Sequence, residues 1–143
     1  MTDQEPRPSD CVACLGHWPA ADHRIADLGA TVAYLNQDQF FRGWTYVVLK
    51  RHATELFELS REERGRLIEE VSAVARALAT VFGAVKLNYE LLGNQVAHIH
   101  WHVVPRLAGD PSPREPVWRV PHDPRRLTAA ELRELIGRIR QHL

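Results

Sequence analysis

The sequence predicts an α+β fold with a mostly antiparallel sheet. Three observations carry this expectation: five short segments of strand character, their division into two groups by one long amphipathic helix, and a second helix-opening signal near the C terminus. The first two strands lie in "RIADLGATVAYLNQ", divided at Gly29. Thr31, Ala33 and Leu35 share one face of the second strand, and Val32, Tyr34 and Asn36 share the other. "GWTYVVLKR", rich in β-branched and aromatic residues after Gly43, is the third strand. Ser60 and Glu63 then form a capping box, in which each side chain satisfies the other residue's free backbone amide. Leu67, Val71, Val74, Ala75, Leu78 and Phe82 recur at helical spacing until Gly83 stops the helix. "AVKLNYELL" and "HIHWHVV" supply the fourth and fifth strands. Six of the nine prolines fall between Pro105 and Pro124, so 105–127 is expected to be an extended connection. A second capping box, Thr128 with Glu131, opens a C-terminal helix over 128–142 carrying Leu132, Leu135, Ile136 and Ile139.

At 143 residues the chain suits one domain, expected over 10–143, and can bury roughly 68–70% of its unfolded surface. Residues 1–9, polar with two prolines, are expected to form a mobile arm. Apolar residues make up 45% and charged residues 25%, which excludes a disordered or fibrous chain. The formal charge is zero, so there is no global basic field to hold DNA or RNA; a small phosphorylated ligand remains compatible. No apolar run approaches the roughly 20 residues that span a bilayer, and "MTDQEPRPSD" lacks the pattern of a secretory signal. A cytoplasmic protein without membrane or nucleic-acid partners is expected.

The chemistry-bearing stretch is "GNQVAHIHWHVVPR", residues 93–106, with histidines at strict two-residue intervals. Alternation on a strand puts His98, His100 and His102 on one face and Ile99, Trp101 and Val103 on the other, with Trp101 buried against the core. The outer histidines would lie about 13 Å apart along such a strand, too far to share one ion through bonds of about 2 Å. Two of the three could chelate if other ligands joined. Alternatively, a neutral imidazole can attack phosphorus when its other ring nitrogen donates a hydrogen bond that fixes the tautomer. A solvated strand that is merely rich in histidine is the third reading. Cys11 and Cys14, spaced C-x-x-C, are too few for a disulfide framework and suggest metal or redox chemistry in a reducing compartment.

The string "HIHWHVV" matches the H-x-H-x-H-x-x signature of the histidine triad (HIT) superfamily. "LLGNQVAHIHWHVVPRLAGD" resembles bacterial HIT proteins of the diadenosine tetraphosphate hydrolase-like kind, and the resemblance extends back through "FRGWTYVVLKRHATELFELSREE" to cover most of 11–118. It implies the HIT fold, a five-stranded sheet with one long helix packed on it, and usually a homodimer. It also implies a nucleotide hydrolase or transferase, with no cofactor required for the chemistry. By resemblance His100 is the nucleophile that forms a nucleotidyl-histidine intermediate at the α-phosphate. His102 contacts the phosphate and assists the leaving group, and His98 supports the site's hydrogen bonding. The implied substrates are dinucleoside polyphosphates or nucleoside phosphoramidates, with phosphate contacts from Asn94, Asn88 and Gln95 and ribose contacts from Asn36. Base recognition is expected from apolar side chains around residues 25–35, and leaving-group preference from the tail after residue 105.

The chain departs from better-known HIT branches at Trp44, where they carry a fourth histidine after a glycine. Some HIT proteins hold a structural zinc through residues that correspond to Cys11, Cys14, His52 and His98, a chemically reasonable Cys₂His₂ set. A nucleotide-binding module with little turnover is the main alternative function, and a zinc hydrolase using His98 and His100 as ligands a further one. His17, His23, His122 and His142 are expected to be solvated, and Trp118 to serve packing or a subunit contact.

Overall fold

The computed structural model describes residues 8–143; of the arm expected over 1–9, all but Pro8 and Ser9 lies outside the described residues. Five strands form one antiparallel sheet: β1 (Arg24–Asp27), β2 (Thr31–Leu35), β3 (Thr45–Leu49), β4 (Lys86–Glu90) and β5 (His100–Arg106). Their order across the sheet is β1-β2-β3-β5-β4. Helix α1 (Arg61–Phe82) and helix α2 (Ala129–Arg140) both pack on one face.

Each boundary has a local cause. The side chain of Ser60 accepts from the Glu63 amide and that of Glu63 accepts from the Ser60 amide, so two of the helix's free N–H groups are satisfied; Thr128 and Glu131 do the same for α2. Gly83 closes α1 in the left-handed conformation (φ 59°), which a side chain disfavours. Leu67, Val71, Val74, Ala77 and Leu78 of α1 meet Ala33, Leu35, Val47, Leu49 and Val103 of the sheet, and Leu132, Leu135, Ile136 and Ile139 of α2 complete this core. Glu70 on α1 binds the Ala30 amide (2.8 Å) and the Thr31 hydroxyl (2.5 Å), which ties the helix to the β1–β2 turn.

β5 starts two residues later than the alternation predicts and runs further, through Pro105. At its start the His98 amide turns back to the Val96 carbonyl (2.9 Å), which takes His98 out of the ladder. At its end, pairing with β3 stops at Thr45↔Val103, so the missing N–H of Pro105 interrupts no bond to β3. Trp101 does face the helix side, opposite Val47, but it is only half-buried at the edge of the core.

The Pro-rich tail is pinned to the sheet by Arg106, 2% exposed. Its guanidinium donates to Asp110 (3.1 Å), Asn88 Oδ1 (2.9 Å) and the carbonyls of Glu115 (2.6 Å) and Ser112 (3.3 Å), and it lies 5.1 Å from the centre of the Phe41 ring. A buried cation on this strand is therefore fully partnered. The tail is not wholly irregular: Val117–Arg119 forms one 3₁₀ turn, and Val117 joins Phe41, Trp44 and Val104 in a second small core.

Gly43 (φ 88°), two residues before β3, sits where any Cβ would stand 2.5 Å from the Phe82 ring and 2.7 Å from Pro105. Gly43→Ala combines left-handed strain with overpacking and is expected to cost about 2–4 kcal/mol. Gly83→Ala, at a position with open space around it, should cost only about 1–2 kcal/mol for its φ. Urea denaturation of both variants measures the difference.

Candidate active site and cysteine–histidine cluster

The sheet face away from the helices carries Val32, Tyr34, Tyr46 and Val48, together with His100 and His102 of β5. Register fixes their neighbours: Tyr46 lies opposite His102, and Val48 opposite His100. Residues 11–20 return over this face and bring Trp18 onto it, with the Trp18 ring centre 4.8 Å from that of His100 and 5.0 Å from that of Tyr46. The tail brings Trp118 from the other side, 5.2 Å from His102 and 5.0 Å from Trp44. Between these walls lies a cavity of about 440 Å³, lined also by Asn36, Asp38, Asn94 and Gln95.

The two histidines in this cavity have their tautomers set by different partners. His100 Nδ1 lies 2.7 Å from the His98 carbonyl. A carbonyl only accepts, so Nδ1 carries the proton and Nε2 carries the lone pair. His102 is the reverse: the Trp44 Nε1–H donates to its Nδ1 (3.2 Å), which leaves the proton of neutral His102 on Nε2. Both rings are buried, His100 4% and His102 6% exposed. Burial holds the His100 imidazolium below its usual range despite the hydrogen bond to His98. Burial, aided by the charge His100 would carry, pushes His102 down to about 4. Burial, with the Asp38 carboxylate nearby, pushes the Tyr46 phenol up to about 12, so it too stays neutral.

His98 is separated from this pair. Its Nδ1 points to Cys11 Sγ (3.4 Å), Cys14 Sγ (3.6 Å) and His52 Nδ1 (3.2 Å), and its Nε2 donates to the Leu49 carbonyl (2.6 Å). Cys14 Sγ is in turn 3.4 Å from His52 Nδ1. The four donor atoms lie within 4.8 Å of one another. A tetrahedron with Zn–S bonds of about 2.3 Å and Zn–N bonds of about 2.05 Å has S–N edges of about 3.5 Å and N–N edges of about 3.3 Å, so the three S–N pairs and the N–N pair given above stand at coordination spacing. Neither cysteine is in a disulfide, and a backbone carbonyl on the far nitrogen is the usual orienting partner of a ligating imidazole. The residues fit a metal ion of this kind.

Of the other expected site residues, Asn36 lines the cavity and its Oδ1 accepts from the Asp38 amide (3.0 Å), while Asn94 and Gln95 sit exposed on its rim. Asn88 is not brought there. It faces the tail from β4, with its carbonyl oxygen taken by Arg106 (2.9 Å). His122, expected in solvent, is instead a clamp: its Nε2 binds Asp38 (2.8 Å), its Nδ1 donates to the Val120 carbonyl (2.8 Å), and its ring stacks on Phe40. Burial opposes the His122 charge, but these two bonds outweigh it and raise the group above its usual range. Trp18 and Asp38 carry no sequence signal as cavity residues, Trp44 is marked only as a departure from the HIT pattern, and Trp118, expected to serve packing or a subunit contact, also lines the cavity.

The HIT domain family model matches residues 20–109. A Bacillus subtilis (strain 168) protein named hit is 29% identical over 105 residues, covering 68% of this chain and 71% of that protein. A histidine triad protein from Sinorhizobium meliloti 1021 superposes with a TM-score of 0.75 at 33% identity, covering 84% of this chain and 88% of the other. A zinc-bound histidine triad family protein from Mycobacterium smegmatis superposes with a TM-score of 0.64 at 28% identity, covering 92% and 91% of the two chains.

The depressed pKa of His102 has a sign that can be measured. Between about 4 and its usual 6.5 the unfolded chain binds more protons than the folded one. The stability this residue contributes is therefore fully present above pH 6.5 and is lost as pH falls toward 4. His122, raised, contributes stability that is present below 6.5 and is lost as pH rises through its folded value. In denaturation at pH 7 and pH 4.5, His102→Gln is expected to lose about 2–3 kcal/mol less on acidification than the wild type, with the His122 contribution common to both. Equal losses would contradict the burial of a neutral imidazole.

Proposed function

The chain belongs to the HIT domain family, and from that premise we propose that it hydrolyses or transfers nucleotides by attack of His100 on an α-phosphorus. The observation that carries this reading is the 2.7 Å bond from His100 Nδ1 to the His98 carbonyl, which leaves the Nε2 lone pair as the ring's nucleophile. Attack forms an Nε2–P bond and breaks the bond to the leaving group, whose atom keeps the electron pair. The positive ring so formed stays bonded to the His98 carbonyl, whose dipole stabilises it. Water then attacks the phosphorus, the P–N pair returns to Nε2, and the water's proton passes to solvent as the phosphate product ionises. The substrates are dinucleoside polyphosphates or nucleoside phosphoramidates, and the step as written uses no metal ion.

The other cavity groups have roles that follow from what they can donate. The His102 Nε2–H and the amides of Asn94 and Gln95 suit the phosphate oxygens, and Asn36 suits a vicinal ribose diol. Trp18 and Trp118 supply π-faces at either end of the histidine pair, where bases can stack. His98 belongs to the other cluster, since its Nδ1 faces the cysteines and His52 and its Nε2 is taken by the Leu49 carbonyl, and this geometry disfavours a zinc hydrolase built on His98 and His100.

In the same reading Cys11, Cys14, His52 and His98 hold a structural Zn²⁺, supported by their spacing and by the Leu49 carbonyl behind His98. Such an ion would fasten the segment that carries Trp18 to the start of β5. Paired thiolates favour a reducing, cytoplasmic setting. A homodimer completes the proposal, with β4 as an edge strand that bears exposed Tyr89 and follows exposed Val85. Among the described residues no helix is long and apolar enough to cross a membrane.

Rapidly quenched intact-mass spectrometry with diadenosine tetraphosphate should show an added AMP on the wild type and none on His100→Ala, whose turnover should fall at least about 1,000-fold with Tm within a few degrees. Nucleotide binding without adduct or turnover would instead favour a binding module. For the metal, elemental analysis should find one zinc per chain, and Cys14→Ser should remove it and lower Tm by about 5 °C or more.

A further inference from the structure

The Trp44–His102 contact has consequences for the leaving group. An indole N–H can only donate and cannot be removed at any physiological pH, so the His102 Nδ1 lone pair is held as an acceptor. The contact is buried from both sides, with Trp44 4% and His102 6% exposed. Trp44 is itself fixed by Phe41, Val104 and Val117 and by the Trp118 ring, so the indole cannot swing away without opening that small core. His102 therefore presents to the cavity a neutral Nε2–H.

We propose that Trp44 is a positioning residue that keeps His102 a hydrogen-bond donor without a spare proton, so that the site releases phosphate-type leaving groups and discriminates against amines. The inference rests on the reading of His100 as nucleophile and narrows its substrate class. When His100 Nε2 attacks a dinucleoside polyphosphate, the P–O bond breaks and its electron pair stays on a phosphate oxygen. That oxygen leaves as a stable anion, because the last ionisation of a phosphate lies near pH 6. No acid is needed; the Nε2–H of His102 has only to hydrogen-bond the charge that develops. In a phosphoramidate the P–N pair goes to nitrogen, which must take a proton to leave as an amine. Imidazolium could give one, but the neutral Nε2–H is a far weaker acid.

The groups that face His102 do not replace that acid. On its own strand His100 stands 5.2 Å away and is the nucleophile. On β3, Tyr46 stands 5.1 Å away as a neutral phenol. On β4, Glu90 is its register partner, and the Glu90 carboxylate accepts from the Trp118 indole. From the β2–β3 connection, Asp38 is held ionised: burial works against its charge, but the Arg125 and Phe40 amides and His122 outweigh it.

The test compares diadenosine tetraphosphate with adenosine phosphoramidate in single turnover from pH 5.5 to 8, for the wild type and Trp44→Phe. The rate ratio of the two substrates cancels the titration of the shared nucleophile. The wild type should prefer the polyphosphate at every pH by at least about 100-fold. In Trp44→Phe the donor that occupies Nδ1 is gone while burial still opposes the charge, so the preference should shrink at the acid end, at least about tenfold at pH 5.5, and return at pH 8. Histidine ¹⁵N spectra of the wild type give a readout independent of the variant's folding: His102 should show a protonated Nε2 and an unprotonated Nδ1 over the whole range. A protonated Nδ1, or a wild type that prefers the phosphoramidate, overturns the inference. If the wild type turns over neither substrate and forms no AMP adduct on His100, the nucleophile reading has failed and the inference falls with it. An adduct from both substrates at equal rates sinks the inference alone.

Discussion

The carbonyl of His98 is the point on which both clusters depend. It accepts the Nδ1–H of His100 and so aims that ring, while the imidazole on the same residue turns the other way to the two cysteines and His52. This division requires the backbone to leave the ladder just before β5, and the turn of the His98 amide onto Val96 provides it. Had the strand begun at His98, three imidazoles would have lined one groove. The irregularity makes a pair and a separate imidazole beside the cysteines instead. Any displacement of the cysteine cluster would also move the carbonyl that orients His100, so the two sites are mechanically linked through one residue.

The sheet divides its labour between faces. One is sealed by α1 and α2 around a largely apolar core; the other is roofed by the segment bearing Trp18 and the tail bearing Trp118. The roof dries the histidines enough to keep them neutral while leaving the cavity open to a ligand. Keeping the roof in place falls to polar anchors rather than to a second large core. Arg106 gathers the loop after β5, and the His122–Asp38 pair holds the tail to the β2–β3 connection. Neither anchor reacts, yet both set where the aromatic walls stand.

Much of this architecture was legible because it repeats at short range. The capping boxes at Ser60 and Thr128, the apolar period from Leu67 to Phe82 and the alternation around β5 each appear within a few residues, and the elements formed there. The likeness of "HIHWHVV" to the HIT signature pointed to the family that the match over 20–109 establishes. What misled was also local. Alternation placed His98 beside His100, and a turn before the strand undid it. Asn88 sits on β4 at a plausible remove from the triad, but its side chain serves Arg106, eighteen residues further along. Trp18 and Trp118 stand 100 positions apart and meet the histidines from opposite sides, which no window of sequence can reveal.

By itself, then, the sequence determined the strands and helices and the face that carries the histidines, while the residues proposed to bind a metal or attack phosphorus came from its likeness to the HIT signature. The elements and that face follow from side-chain period and capping chemistry, both of which act between near neighbours. Tertiary structure alone decided which nitrogen of each imidazole holds its proton. It also decided which histidine joins the cysteines and which aromatics wall the cavity. Those outcomes depend on a carbonyl two residues away across a turn, on an indole 58 residues distant and on the desolvation of groups brought together only when the chain has closed.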